Sequence, residues 1–397
     1  MKIAICGAGI GGLTAANLLH DAGHDIRVYE RFDAPKPVGS GLMVQPYGQR
    51  ILQNIGALDH AISHGCKIDR MHGIDTHNNR VVLDETYQLG GDGAFGLGIH
   101  RSGLFDALYQ QAQHRGIPFH CGVNLARIAG QYLETSDQTQ IGPFDLIINA
   151  TGARSALSPM TTRPLAFGAA WSTVDWVDGI LPKTQLTQRY VQAKQMVGIM
   201  PCGQYNGRDS AAIFWSLPTA EFGNFRTNGL AAWKNAVHQI WPEISPFFDQ
   251  ITDIEQFAFA QYGHGTLARP YHIQGRSHVV HIGDAAHTTS PQLGQGANMA
   301  MLDAFALTQA LQFSTPETGV RHYAQNRRKH VLLYQAISWA FTPMYQSNSC
   351  LLPWLRDYLL YPISRLPILH RLMTRLIRGE LVEPWAQTSS KHPHKRA

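Results

Sequence analysis

A strand that stops at a run of glycines and restarts as a helix constrains this chain more than any other feature. Lys2-Ile3-Ala4-Ile5-Cys6 is apolar enough to be a buried strand, Gly7-Ala8-Gly9-Ile10-Gly11-Gly12 follows at once, and residues 13–21 are helix formers that end near Gly23. A second strand, residues 26–29, then runs into Glu30. This is the GxGxxG fingerprint in the setting that gives it meaning. Gly7 makes the turn, Gly9 lets the backbone approach a pyrophosphate, Gly12 lets helix and strand pack, and Glu30 is placed for ribose hydroxyls. The N-terminal unit is therefore a βαβ element of a parallel sheet that binds a dinucleotide.

A second stretch repeats the logic near residue 283. The apolar run Val279-Val280-His281-Ile282 reads as a buried strand, Gly283-Asp284-Ala285-Ala286-His287 closes it, and Pro291 and Gly294-Gln295-Gly296-Ala297-Asn298 lead into a largely apolar helix over residues 299–311. A helix N-terminus presents unpaired N–H groups and partial positive charge, so a planar cofactor that becomes anionic on reduction would be stabilised there. Asp284, at the strand end, could accept hydrogen bonds from a polyol. A simple two-domain NAD dehydrogenase has no need of this second, distant loop, whereas a flavoprotein does.

Composition narrows the class. With 397 residues, 44% of them apolar and 15% charged, the chain can build two or three lobes around a large core. Five cysteines stand singly with no CxxC pair, which argues against a disulfide framework or a zinc site and for a reducing compartment. The N-terminus has no leader-like pattern and no run of about 20 apolar residues occurs, so a cytoplasmic protein is expected. The mild net charge of +5 comes without a basic aromatic stripe, so nucleic acid is not an expected partner.

The motifs GAGIGGL at 7–13, YER at 29–31, GSGLMVQP at 39–46, HRSGLFDAL at 100–108 and GDAAHTTSPQLGQGANMAMLDA at 283–304 resemble the FAD-dependent class A aromatic hydroxylases, related to p-hydroxybenzoate hydroxylase and to the quinone-biosynthesis hydroxylases. The resemblance spans most of residues 1 to 335 and implies an α/β fold, a Rossmann-like FAD-binding domain with an inserted β-sheet substrate domain and a C-terminal helical segment. The implied divisions are 1–70, 100–160 and 275–335 for the FAD-binding domain, 71–99 and 161–274 for the substrate domain, 336–386 for the helices and 387–397 for a disordered tail.

The resemblance also implies the chemistry, that of a monooxygenase. NAD(P)H reduces the flavin, O2 adds at its C4a carbon, and the hydroperoxide hydroxylates an aromatic or quinone-like small molecule. Pro291 would shape the face where oxygen reacts, and backbone N–H groups around Gly294, Gln295, Gly296 and Ala297 would stabilise charge at the flavin edge. Asn298 belongs to the same motif. Arg31, Gly41, Arg101, Thr151, Gly152 and Gly283 would contribute to the FAD site, and Asp284 would hold the ribityl chain. His287 is expected to be structural. Another FAD-dependent oxidoreductase (a halogenase or a dehydrogenase/reductase) or a non-catalytic FAD-binding protein remains the alternative, and the oligomeric state is left open.

The chain departs from its relatives at one point. They carry an Asp-Gly pair after the strand at residues 144–149, associated with both FAD and the nicotinamide nucleotide, with a serine and an arginine downstream; here Thr151 replaces the acid and Ser158 falls where the arginine would be, while Ser155 is in place. FAD binding is expected to survive this change and NAD(P)H docking to be altered.

Between residues 165 and 262 the pattern turns to short strands with Pro, Gly and Asn between them, and one helix over 230–240. Trp171, Phe214, Trp215, Phe257, Phe259 and Tyr262 supply aromatic surface there, and the sequence does not choose which of them face a substrate. Residues 321–346 read as a long helix broken near Pro343. Beyond it, Arg356, Arg365, Arg371, Arg375 and Arg378, against Asp357 and Glu380, interleave with leucines, Trp354 and Tyr358. That pattern allows a helical cap or a basic amphipathic surface for peripheral membrane contact.

Overall fold

The computed structural model describes residues 1–36, 40–312 and 314–382; Gly39, the first residue of the GSGLMVQP motif, and the expected disordered tail lie outside the described residues. Two large sheets organise the chain. The first has six strands in the order Tyr271–Gln274, Ser277–His281, Leu146–Asn149, Lys2–Cys6, Asp25–Tyr29 and Phe119–His120. All neighbours run parallel except the edge strand Tyr271–Gln274, and the register sets Ile3 beside Leu146 and Ile26, and Ile148 beside Val280. A parallel sheet is covered on both faces, which is why its central strands read as continuous apolar runs rather than as alternation.

Three helices, Ile10–Asp21, Arg101–His114 and Gly296–Leu311, share one buried core with that sheet, built from side chains such as Ile5, Leu13, Leu108, Leu146, Val280 and Leu302. The ends of the first and third helix approach closely, because a Cβ on Gly11 would sit 3.2 Å from the Cβ of Ala300. Both strand-to-helix turns found in the sequence are thereby set side by side.

The second sheet has eight strands, in the order His287–Thr288, Ala258–Thr266, Arg163–Asp175, Arg208–Pro218, Gln195–Tyr205, Gln185–Val191, Arg70–Asp75 and Arg80–Thr86. Arg70–Asp75 and Arg80–Thr86 form a hairpin, which joins this sheet through parallel pairing of Arg70–Asp75 with Gln185–Val191. The helix expected over 230–240 extends from Phe222 to Ile240, with a bend at Gly229 where φ is +77°. It covers one face of the sheet around Trp215, Trp233, Phe248 and Phe257. A smaller sheet, Gly41–Val44 with Gly96–His100 and Cys66–Ile68, bridges the two lobes.

Helices close the fold. Pro316–Tyr345 starts five residues earlier than the sequence pattern predicts, behind the capping hydroxyl of Thr315, and carries Pro343 in its last turn. It brings Arg327 to Asp303 in the third core helix. The Asp303 carboxylate, fully buried, accepts from Arg327 Nε at 2.7 Å, from the Gly283 backbone N–H at 2.8 Å, and lies 2.6 Å from His287 Nε2. Burial by itself would raise its pKa, but His287 and Arg327 outweigh that and hold it well below the ordinary carboxylate range.

A group depressed in this way contributes stability that is complete above its unfolded value of about 4 and lost as pH falls through its folded value. Asp303→Asn strands a buried guanidinium, which typically costs about 3–5 kcal/mol. The variant should melt well below the wild type near neutral pH, and its stability should fall less steeply on acidification. Matching acid limbs for the two proteins in pH-dependent calorimetry would show that Asp303 does not carry this charge.

Candidate active site

The N-terminal fingerprint opens onto a cleft of about 280 Å3 lined by Gly7, Gly9, Glu30, Arg31, Arg101, Thr151 and Gly152, together with Tyr29, Phe32, Lys36, Phe105, Asn124 and Arg154. Seven of the residues singled out by sequence thus meet at one place. The glycines divide the labour as their spacing requires. A Cβ on Gly12 would lie 1.9 Å from the Gly7 carbonyl oxygen, whereas one on Gly9 meets nothing within 4 Å. Gly12 is a packing glycine, and Gly9 keeps a helix N-terminus bare toward the cleft.

Glu30 ends its strand with one carboxylate oxygen 2.8 Å from the Ala8 N–H and the other 3.2 Å from the Phe32 N–H. The glycine turn is held by that carboxylate, and each oxygen retains a lone pair for a further hydroxyl donor. Arg101 opens the Arg101–His114 helix behind His100, whose ring caps the helix by accepting from the Ser102 N–H. Burial and the Arg101 charge lower the His100 pKa to about 4, so it caps as a neutral ring.

The second turn supplies Asp284, Gln295 and Gly296, which line a water-sized cavity of about 10 Å3 with His287, Met299 and Tyr334. Arg101, at the cleft, and Asp284, at the small cavity, are both exposed yet ringed by protein. Desolvation lowers Arg101 and raises Asp284, and each charge offsets part of the other's shift. Gly294 takes φ +60°, and a Cβ on Gly296 would meet nothing within 4 Å, so the Gly296–Leu311 helix also begins with accessible backbone.

Some of the expected residues are committed inside the protein. The Asn298 side chain accepts from the Gln45 N–H at 2.8 Å and donates to the Met43 carbonyl at 3.1 Å, and Gln295 donates to the Ile377 carbonyl at 2.9 Å. A Cβ on Gly41 would lie 2.1 Å from Cys202 Sγ, so that glycine lets its strand pack on the large sheet. Pro291 begins a short helical turn capped by Ser290, Ala297 lies in the first turn of the next helix, and the Gly283 N–H is held by Asp303. His287 is buried against Asp303, as its structural reading expected.

The large sheet sorts its aromatics by face. Trp215, Phe257 and Phe259 pack with the Phe222–Ile240 helix, away from the cofactor motifs. Trp171 and Phe214 face the other way, toward Met43, Met200, Tyr345 and Ile377, and Trp171 Nε1 donates to the Tyr262 hydroxyl at 2.8 Å. Two residues beyond Tyr262, His264 lies 3.4 Å from Thr289, close to Pro291 in the chain.

The matched family model is that of the FAD binding domain, over residues 1–332. The chain belongs to this family. It is an FAD-dependent monooxygenase of the aromatic-hydroxylase group. Among curated relatives, it is 27% identical to an FAD-dependent urate hydroxylase of Mycolicibacterium vanbaalenii over 79% of this chain and 80% of that one. It is 26% identical to the 2-heptyl-3-hydroxy-4(1H)-quinolone synthase of Pseudomonas aeruginosa over 94% of this chain and 98% of that one. Among solved structures, a Klebsiella pneumoniae HpxO variant complexed with FAD superposes with a TM-score of 0.80 at 21% identity, covering 96% of this chain and 100% of that one. The cofactor is FAD, and the cleft fits the dinucleotide: a bare helix N-terminus at Gly9, an acid at the end of the second strand, and Arg101 opposite.

Sequence reasoning missed the groups that hold this site. Asp303 was legible only as an acid within an apolar helix, and Arg327 as its undeclared partner. Asn149 is the other omission. Its Nδ2 reaches Ser155 Oγ at 2.9 Å and His281 Nδ1 at 3.0 Å, while its Oδ1 accepts from Thr151 Oγ1 at 2.8 Å; Thr151 and Ser155 hydroxyls lie 2.5 Å apart. Ser158 ties the same loop to the Ala285 carbonyl at 2.7 Å.

Two outcomes follow from this geometry. Gly9→Val should fold with nearly wild-type melting as apoprotein and lose bound FAD, while Gly12→Val should fail to fold; flavin absorbance and calorimetry separate the cases, and equal behaviour of the two variants would contradict the division of roles. Thr151→Asp places a carboxylate against the Asn149 carbonyl oxygen, and turning that amide over would set its Nδ2 against the Thr151 backbone N–H that its Oδ1 accepts at 3.2 Å. Thr151→Asp should therefore lower FAD affinity at least tenfold, roughly the loss of one buried hydrogen bond with an unsatisfied partner, whereas Thr151→Ser should keep it. An Asp variant that binds FAD normally and is reduced faster by NADH or NADPH would instead favour an acid-based nicotinamide site.

Proposed function

We propose that the protein hydroxylates a neutral, electron-rich aromatic or quinone-like small molecule with O2 and NAD(P)H. The observation that carries this reading is the sorted aromatic face. Trp171, Phe214 and Tyr262 lie on the side of the large sheet that looks to the Gly41–Val44 strand, and Met43 of that strand is the neighbour of Gly294 in the cofactor loop. A planar apolar ring held between these groups and the loop would meet the flavin face to face.

When bound, the flavin supplies the redox and oxygen-activating chemistry. The chain's own contribution is positioning and water exclusion. Tyr262 accepts from Trp171, and burial pushes its phenol up to about 12, so its O–H stays protonated and can donate to an oxygen or ring nitrogen of the substrate. The nearby cations are already paired, Arg356 with Asp75 and Asp357, and Arg378 with Asp92 and Glu380. The face thus offers apolar surface and neutral hydrogen-bonding groups, which suits a quinolone or phenol better than a carboxylate-bearing ring. The backbone N–H groups from Gly294 to Ala297 would stabilise charge on the reduced cofactor, with Asp284 on its polyol chain and Pro291 at the reacting face.

The test is NAD(P)H oxidation by the FAD-loaded protein across phenols, quinolones, quinone precursors and benzoates, with 18O2 label followed into product. Neutral rings should stimulate oxidation and acquire one labelled oxygen. Tyr262→Phe should raise KM for the best of them about tenfold, the value of one hydrogen bond, while retaining FAD. Stimulation by carboxylate-bearing rings alone, or oxidation without label in any product, would overturn the proposal.

A further inference from the structure

The C-terminal helices carry a surface that neither the cofactor site nor the proposed hydroxylation uses. Among the described residues, ten of the twelve large apolar side chains that are exposed lie between Leu332 and Leu372. Trp339 is 68% exposed, Leu351 69% and Ile368 77%. The sequence from Val331 to Leu355 contains no charged residue at all. Single exposed apolar side chains are ordinary, but a continuous run of them on one segment marks an interaction surface.

Helical spacing gathers these side chains into stripes. Leu332 and Trp339 fall on one side of the Pro316–Tyr345 helix, and Leu351, Trp354 and Tyr358 fall on one side of the next turns, where the Trp354 and Tyr358 rings stack 5.6 Å apart. Ile368, Arg371, Leu372 and Arg375 form a stripe on the Pro367–Arg378 helix. The opposite faces of the long and last helices, through Val331, Tyr334 and Leu376, pack inward on Met299.

Charge decides what covers the surface. Only three of the five arginines expected on this surface lie there, because Arg356 and Arg378 are buried in ion pairs with Asp75 and Asp92. Arg365, Arg371 and Arg375 are the arginines exposed there, Asp357 is buried, and no exposed Asp or Glu occurs from residue 331 to 379. Arg80 adds a further guanidinium 4.2 Å above the Tyr358 ring. A second copy of this surface would bring arginines against arginines, whereas an anionic lipid surface meets apolar and cationic groups with complementary ones. Among the described residues no helix is long and apolar enough to cross a membrane, so the surface would rest on a bilayer.

We propose that the face formed by Trp339, Trp354, Ile368, Leu372, Arg371 and Arg375 docks the protein reversibly on an anionic phospholipid membrane. The same helices roof the aromatic side of the large sheet through Tyr345 and Ile377, which places the substrate face beneath the docked surface.

The experiment is co-sedimentation of the FAD-loaded full chain with vesicles of phosphatidylcholine alone or mixed with phosphatidylglycerol, at low and high salt. The wild type should sediment with the anionic vesicles at low salt and be released at high salt. Arg371→Gln with Arg375→Gln should weaken partitioning roughly 30-fold, at about fivefold per arginine, and Trp339→Ser with Ile368→Ser should reduce it at least as far. Retained flavin colour would show that these variants are folded. The proposal is overturned if the wild type ignores anionic vesicles, if binding is lost only on neutralising Lys391, Lys395 and Arg396 in the tail, or if the apolar variants split a dimer in analytical ultracentrifugation while vesicle binding is nil.

Discussion

The architecture depends on one buried carboxylate. Asp303 sits in the middle of an apolar helix, where an unpaired charge would not survive, and three donors from two other segments must converge to keep it ionised. The long helix supplies Arg327, the loop after the parallel strand Ser277–His281 supplies the Gly283 N–H, and the same loop returns to supply His287. The two loop donors fix the ends of the candidate cofactor loop, and Arg327 fixes the helix that carries Asp303. The loop that carries Asp284 is anchored at both ends, and the helix that begins at Gly296 is locked against it.

A second ionic node does for the other lobe what Asp303 does for the first. Arg356 reaches Asp75 at 2.9 Å and Asp357 at 2.6 Å, donates to the Gln192 and Met344 carbonyls, and lies over the rings of Tyr190 and Tyr345. It fastens the C-terminal helices to the hairpin strand Arg70–Asp75 at the far end of the large sheet. Both nodes are specific in geometry, so they fix where the helices lie rather than merely that they pack. The outward face of those helices is left apolar and basic as a result, because the inward face consumes the acids.

Between the nodes, the chain places two kinds of surface opposite one another. On one side are strand-to-helix turns with bare backbone N–H groups at Gly9 and Gly296; on the other is the sheet face bearing Trp171, Phe214 and Tyr262. The first suits a phosphate-bearing, redox-active cofactor, and the second suits a flat apolar ring. Catalysis in such an arrangement rests on holding the two partners in register and keeping water out. The small Gly41–Val44 sheet is the spacer that sets their separation, which is why Gly41 has no room for a side chain.

Local features were legible in the sequence by itself: the parallel βαβ unit, the fingerprint glycines, Glu30, the second turn near residue 283, and the departure at Thr151. Each is written in a few consecutive residues, because strand periodicity, glycine turns and helix starts are short-range physics. The family and its cofactor followed from those motifs. Tertiary structure alone decided which face of the large sheet each aromatic takes, because a one-residue change of register would exchange the faces and the register is set by pairing with strands far away in sequence. It alone paired Asp303 with Arg327 and wrapped Asn149 around Thr151 and Ser155. It also turned Arg356 and Arg378 inward, since a basic residue within an amphipathic run reads the same whether its partner is solvent or an acid 281 residues away.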